Sequence, residues 1–278
     1  MISNDRRESP HRCVTVPTPD TSRRHAAELV RIDGRHLDTR IVGPGGAAAS
    51  QVFLHEGLGS IDLWRSYPTE VASATDQRAV VYSRYGHGWS DVQREPRPVD
   101  FMDHEAFVVL PELIEAVGVG DPILIGHSDG ASIALLYASR HRVAAMVLLA
   151  PHVFTEPGGL SEIRDFSRRF EASDLVERMA KYHHDPMATF HAWSDVWLNP
   201  DFESWNIESA LPDVTCPVLL IQGENDEYGT KVQLDAVSRQ LGGVVDELLL
   251  SDCRHSPHLD RRAATTDATV GFIKDVHE

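Results

Sequence analysis

The chain has 278 residues, 42% of them hydrophobic, a size and composition at which one α/β domain buries a sizeable core. Its 42 acidic residues against 26 basic ones leave a formal net charge of -16, which repels nucleic acid and anionic membranes and excludes both as expected partners. Three cysteines, Cys13, Cys216 and Cys253, are an odd count in a chain too large to need staples, so no disulfide framework is expected.

Residues 1–25 are polar and rich in Pro, Ser, Thr and Arg, and read as a loose tail. No apolar stretch follows the charges Arg6, Arg7 and Glu8, as a signal peptide would require, so a cytoplasmic location is the expectation. From there strands and helices alternate. Residues 27–32 and 36–42 predict a hairpin turned at Asp33-Gly34. Residues 51–55 and 78–83 read as buried strands, and 103–117 as a helix with Phe107, Leu110, Leu113, Ile114 and Val117 on one face. A strand over 122–126, a helix over 130–139 and a strand over 143–149 follow. Beyond them come a strand at 218–222, a helix at 230–241, a strand at 245–250 and a last helix at 262–276. Cys216 and Cys253 lie beside apolar runs and read as small buried residues.

Short continuous apolar strands alternating with helices predict an α/β fold, a mostly parallel sheet covered on both faces. The core is expected over 26–151 and 212–278. Residues 152–211 break the alternation and read as helices without a strand, a cap over the carboxyl ends of the strands. Asp185-Pro186 is a helix-start signal there, and Trp193 and Trp197 fall on one face, four residues apart.

The chemistry-bearing motif is Gly126-His127-Ser128-Asp129-Gly130, between an apolar strand and a helix. Such a turn holds a serine on a sharp bend with its hydroxyl projecting from the sheet, and the flanking glycines allow the close backbone approach. An activated serine needs a base, and the base needs an orienting acid. Two later strand ends supply them: Gly223-Glu224-Asn225-Asp226, and the run from Ser251 to His255. Asp226 is the expected acid, with Glu224 and Glu227 as rivals, and His255 is the expected base, with His258 as its rival.

With these pieces in order, residues 27–276 resemble the α/β-hydrolase superfamily, most of all small bacterial hydrolases with a helical cap. Leu54-His55-Glu56-Gly57-Leu58-Gly59 resembles the family's oxyanion loop. Ser83-Arg84-Tyr85-Gly86-His87-Gly88-Trp89-Ser90 resembles its R-x-G-x-G-x-S segment, and Arg254-His255-Ser256-Pro257-His258 its terminal histidine loop. The resemblance implies a Ser128–His255–Asp226 triad, with backbone N–H groups of Asp129 and of Gly57 or Leu58 as the oxyanion hole. Glu56, Arg254 and Asp129 depart from the common pattern. The Asp129 carboxylate must turn away from the developing negative charge, into the cleft or to solvent.

The expected reaction is hydrolysis of a carboxylic ester through an acyl-enzyme, with a small-molecule substrate, no cofactor and no metal, in a monomer or homodimer. His127, Trp193 and Trp197 are expected to line the pocket. His183, His184, Asp185 and His191 invite a metal reading, but adjacent histidines on a helix point in different directions. Three alternatives stay open: hydrolysis of a carbon–carbon bond in a ring-cleavage diketone, epoxide or haloalkane hydrolysis through an aspartate, for which Asp129 is one residue out of register, and a triad-bearing ligand-binding protein with little turnover.

Overall fold

The computed structural model describes residues 28–45, 49–170 and 172–277; the polar tail and Cys13 lie outside them. The chain opens with the hairpin β1 (Glu28–Ile32) and β2 (Arg35–Val42), followed by β3 (Ala49–Leu54), helix α1 (Tyr67–Ala74) and β4 (Arg78–Tyr82). A continuous helical stretch then runs through α2 (Phe101–His104), a π-helical turn (Glu105–Val109) and α3 (Leu110–Ala116). Next come β5 (Ile123–His127), α4 (Asp129–Ala138) and β6 (Ala145–Leu149). Helices α5 (Pro157–Phe170), α6 (Leu175–Met179) and α7 (Pro186–Trp197) separate β6 from β7 (Val218–Gly223). The chain closes with α8 (Lys231–Gln240), β8 (Val245–Leu250), α9 (Pro257–Asp260) and α10 (Arg262–His277).

The strands form one eight-stranded sheet in the order β1-β2-β4-β3-β5-β6-β7-β8. Strand β2 pairs antiparallel with β1 and β4, and every pair from β4 onward is parallel. Central strands β5 and β6 are buried at every position, because crossover helices cover both faces. Alternate residues feed two cores. Leu124, Met146 and Leu148 join α4 on one face, whereas Ile123, Ile125 and Val147 meet Tyr67, Val71 and Ile273 on the other.

Helix α4 is buried along its whole length. It approaches β3 so closely that a Cβ at Gly130 would overlap the Leu54 carbonyl. The expected helix over 103–117 starts earlier and contains the π-turn, whose extra residue per turn places Glu105 in the interior. Asp185 caps α7 as its position implied, accepting from Ala188 N at 3.0 Å, with Pro186 at the first helical position. Cys253 is fully buried, while Cys216 is only partly so. Among the described residues no helix is long and apolar enough to cross a membrane.

Candidate active site

Ser128 links β5 to α4 with φ 52° and ψ -117°, a strained geometry for a residue with a side chain. The sheet holds it there: Ser128 N donates to Leu149 O on β6 at 2.9 Å, and its own carbonyl accepts from Ala131 N and Ser132 N. A Cβ at Gly126 would strike Gly130 and Ala131, so glycine is required on both sides of the serine. The serine also stands at the start of α4, where the helix dipole favours negative charge.

Asp226 and His255 arrive on the loops after β7 and β8. The His255 Nδ1–H lies 2.8 and 2.9 Å from the two Asp226 oxygens, and His255 Nε2 is 2.9 Å from Ser128 Oγ. A proton held on Nδ1 leaves the Nε2 lone pair facing the serine hydroxyl. Burial raises the Asp226 pKa, but the adjacent His255 charge and the hydrogen bonds from His255 and Tyr228 N outweigh it and hold it at about 2. Burial works against the His255 imidazolium, yet Asp226 outweighs that too, and the His255 pKa sits above the ordinary histidine value. The rival residues serve elsewhere. Glu224 is exposed, and Glu227 accepts from Arg254 at 2.7 Å and from His255 N at 3.3 Å. His258 packs on Trp64, ring centroids 4.8 Å apart.

Buried side chains hold the loop after β3 by its carbonyls. Arg84 donates to His55 O and Glu56 O, His55 Nδ1 lies 2.7 Å from Glu56 O, and His87 Nε2 lies 2.9 Å from Gly57 O. With these carbonyls turned inward, no backbone carbonyl among the described residues takes the N–H groups of Gly57, Leu58 or Asp129. They remain available to a ligand oxygen.

The departures from the common pattern now have physical partners. Asp129 borders the cavity but is not turned to solvent. It is 1% exposed, accepts from Trp197 Nε1 at 3.2 Å and pairs with Arg84 at 3.5 Å. Burial raises its pKa against the pull of Arg84. Glu56 Oε2 lies 3.5 Å from His127 Nδ1. Burial would raise the Glu56 pKa, but His127 and the neighbouring histidines outweigh it and hold the carboxyl well below its usual range. His127, expected to line the pocket, is fully buried and does not border it. As the last residue of β5 it points to the sheet face away from the cavity, where Nε2 donates to His255 O at 2.7 Å.

Above the serine lies a cavity of about 340 Å³, the size of a small-molecule site. Trp193 and Trp197 border it, as do Leu160, Ile163 and Phe166 of α5. Trp193 packs edge-on against Gly57, where a Cβ would collide with its indole. Sequence reasoning missed His152 and Tyr228, which also line the cavity, and the Arg84–His87 support beneath the loop. No motif marks His152 or Tyr228, and the R-x-G-x-G-x-S resemblance takes in Arg84 and His87 without disclosing the carbonyls they hold. The histidines that invited a metal reading diverge: His183 Nδ1 accepts from Gly88 N at 3.0 Å, and His191 faces Asp195. Among the described residues no group of three or more His, Cys, Asp or Glu side chains could hold a metal ion.

A mostly parallel sheet of this order, with a strained serine at its centre and an aspartate and a histidine on the loops after β7 and β8, defines the α/β class of hydrolytic enzymes. The sequence profile of the alpha/beta hydrolase family matches residues 51–268, and the chain belongs to that family. It is 25% identical to a monoglyceride lipase of Rattus norvegicus over 223 residues, 71% of this chain and 72% of the relative. It is 27% identical to the serine hydrolase BPHL of Mus musculus over 241 residues, 83% of this chain and 80% of the relative. Its fold is similar to that of a thermophilic esterase from Thermogutta terrifontis, with TM-score 0.72 and 20% identity over 91% of this chain and all of the esterase chain.

Proposed function

We propose that this hydrolase cleaves small carboxylic esters through an acyl-enzyme on Ser128, with residues 152–211 as a cap over the site. The observation that carries the reading is the hydrogen-bond chain from Ser128 Oγ through His255 to Asp226. In this mechanism His255 Nε2 takes the hydroxyl proton as Ser128 attacks the carbonyl carbon. The developing oxyanion is received by the N–H of Asp129 and that of Gly57 or Leu58, and His255 gives its proton to the leaving alcohol. Water, activated by the same imidazole, then releases the acid. Each backbone donor aimed at an oxyanion is worth about 10²–10³ in rate. The monoglyceride lipase and serine hydrolase relatives support an ester as substrate. An aspartate nucleophile finds no support, because the Asp129 carboxylate is engaged by Trp197 and Arg84. We read the protein as cytoplasmic and as needing neither metal nor cofactor.

The test is fluorophosphonate labelling read by peptide mass spectrometry, with p-nitrophenyl esters of increasing acyl length alongside. The expected result is one label at Ser128, absent in Ser128→Ala and His255→Ala, with turnover of short esters lost in both variants. Labelling elsewhere, or turnover that survives Ser128→Ala, would falsify the assignment.

A further inference from the structure

His152 follows β6 and, besides His255, is the one histidine among the described residues that borders the cavity. The other buried histidines around the site are each engaged through at least one ring nitrogen: His55 with Glu56 O, His87 with Gly57 O, His127 with His255 O and His183 with Gly88 N. His258 is buried on Trp64, away from the cavity. His152 is 95% buried, and among the described residues its ring nitrogens make no hydrogen bond, although the ring borders the cavity. Buried polar side chains ordinarily make at least one such bond.

Its position is fixed. The His152 carbonyl accepts from Ser132 Oγ at 2.6 Å, and its ring meets Trp197 edge-on at 5.5 Å. The absence of a side chain at Gly229 leaves the ring its space, since a Cβ there would come within 2.9 Å of it. The ring centre lies 5.5 Å from that of His255. Burial, and then the neighbouring His255 charge, push the His152 pKa down to about 3, so the imidazole is neutral at physiological pH. A neutral imidazole offers one donor and one acceptor. A hydroxyl can meet whichever ring nitrogen faces it, accepting from the protonated one or donating to the unprotonated one. A carboxylate only accepts, and would also face Glu56, Glu156, Glu227 and Asp260 around the same cavity.

His255 delivers its proton to the departing alcohol oxygen, so a group beside His255 stands on the leaving-group side. We propose that His152 is a leaving-group subsite and that the preferred substrates are esters whose alcohol carries a second hydroxyl two or three carbons from the ester oxygen. This rests on the acyl-enzyme reading above. Ser128 Oγ bonds to the acyl carbon, the bond from that carbon to the alcohol oxygen breaks, and the serine proton passes through His255 to that oxygen. A diol leaves, and water then cleaves the acyl-serine to the acid and free Ser128.

Propyl butyrate and 2-hydroxyethyl butyrate test this, because they differ by a terminal methyl against a hydroxyl. Rates are followed by pH-stat titration and divided by the hydroxide-catalysed rates. The wild type is expected to favour the hydroxyethyl ester about two- to tenfold in kcat/KM, the worth of one hydrogen bond. His152→Phe is expected to bring the ratio to one while propyl ester turnover persists, and His152→Leu gives the same reading should the phenylalanine variant fail to fold. No preference in the wild type, a preference that survives both variants, or an equal loss on both esters overturns the subsite. Turnover of neither ester by the wild type sinks the acyl-enzyme reading, and the subsite with it.

Discussion

The charge on Asp226 does two things for His255. It fixes the proton on Nδ1, and it raises the pKa of the ring above that of a free histidine. The base must be neutral to accept the serine proton, so activity falls as pH drops through the His255 pKa, and the acid limb of kcat/KM lies above pH ~6.5. Asp226→Asn removes the charge and leaves burial, which disfavours the imidazolium. The acid limb is therefore expected to move to lower pH, while the plateau falls about 10³–10⁴-fold because the wrong tautomer now faces Ser128. A pH–rate profile of the variant checks both; an unmoved limb would show that something other than Asp226 sets the His255 pKa. Glu56 illustrates another residue-scale point. An acid beside the oxyanion loop looks unfavourable, yet it faces His127 Nδ1, and His127 in turn holds the His255 carbonyl.

At the scale of elements, the segment leading into α7 is tied to the loop after β4. His183 Nδ1 accepts from Gly88 N, His184 N donates to Gly88 O at 2.7 Å, and Thr189 Oγ1 donates to Gly86 O at 2.6 Å. That same loop carries Arg84 and His87, which hold the carbonyls of residues 55–57. His183→Ala leaves the Gly88 N–H buried without an acceptor, at a cost of about 1–3 kcal/mol. Its effect is expected in kcat, about tenfold down, with KM changed less than twofold, since the oxyanion donors loosen while the cavity walls stay. Steady-state kinetics decide this, and a change confined to KM would assign His183 to substrate binding instead. This strap was not legible in the sequence, because it joins residues 95 apart that no local pattern connects. The strands were legible, since β5, β6 and β7 are continuous apolar runs, and Ser128, Asp226 and His255 could be placed because each follows a strand end. Helix α1 was missed. Its buried residues Tyr67, Pro68, Val71 and Ala72 make a short and weakly periodic stripe, and only packing against the sheet and α10 defines it. The π-turn at Glu105 was likewise invisible, because its extra residue answers to the interior and not to local periodicity.

The molecule as a whole carries a net charge of -16, and its cavity repeats that bias. Glu56, Glu156, Glu227 and Asp260 border the cavity with Arg254 as their cationic neighbour, and Arg254 is paired with Glu227. A cleft with low-dielectric walls focuses such a field, so charged substrates should be sorted before any contact forms. Screening tests this, because the Debye length shrinks from about 30 Å at 0.01 M salt to about 3 Å at 1 M. For an anionic ester such as a succinate half-ester, kcat/KM is expected to rise about three- to tenfold between 20 and 500 mM sodium chloride. For a choline ester it should fall over the same range, and for a neutral ester of equal length it should stay level. The neutral ester matters most, since it separates steering from any effect of salt on the protein. If all three move together, the field does not reach the approaching substrate, and discrimination must come from contacts inside the cavity. If they diverge in the stated directions, the acidic surface takes part in selecting substrates, and neutral or cationic esters are the ones the site admits fastest.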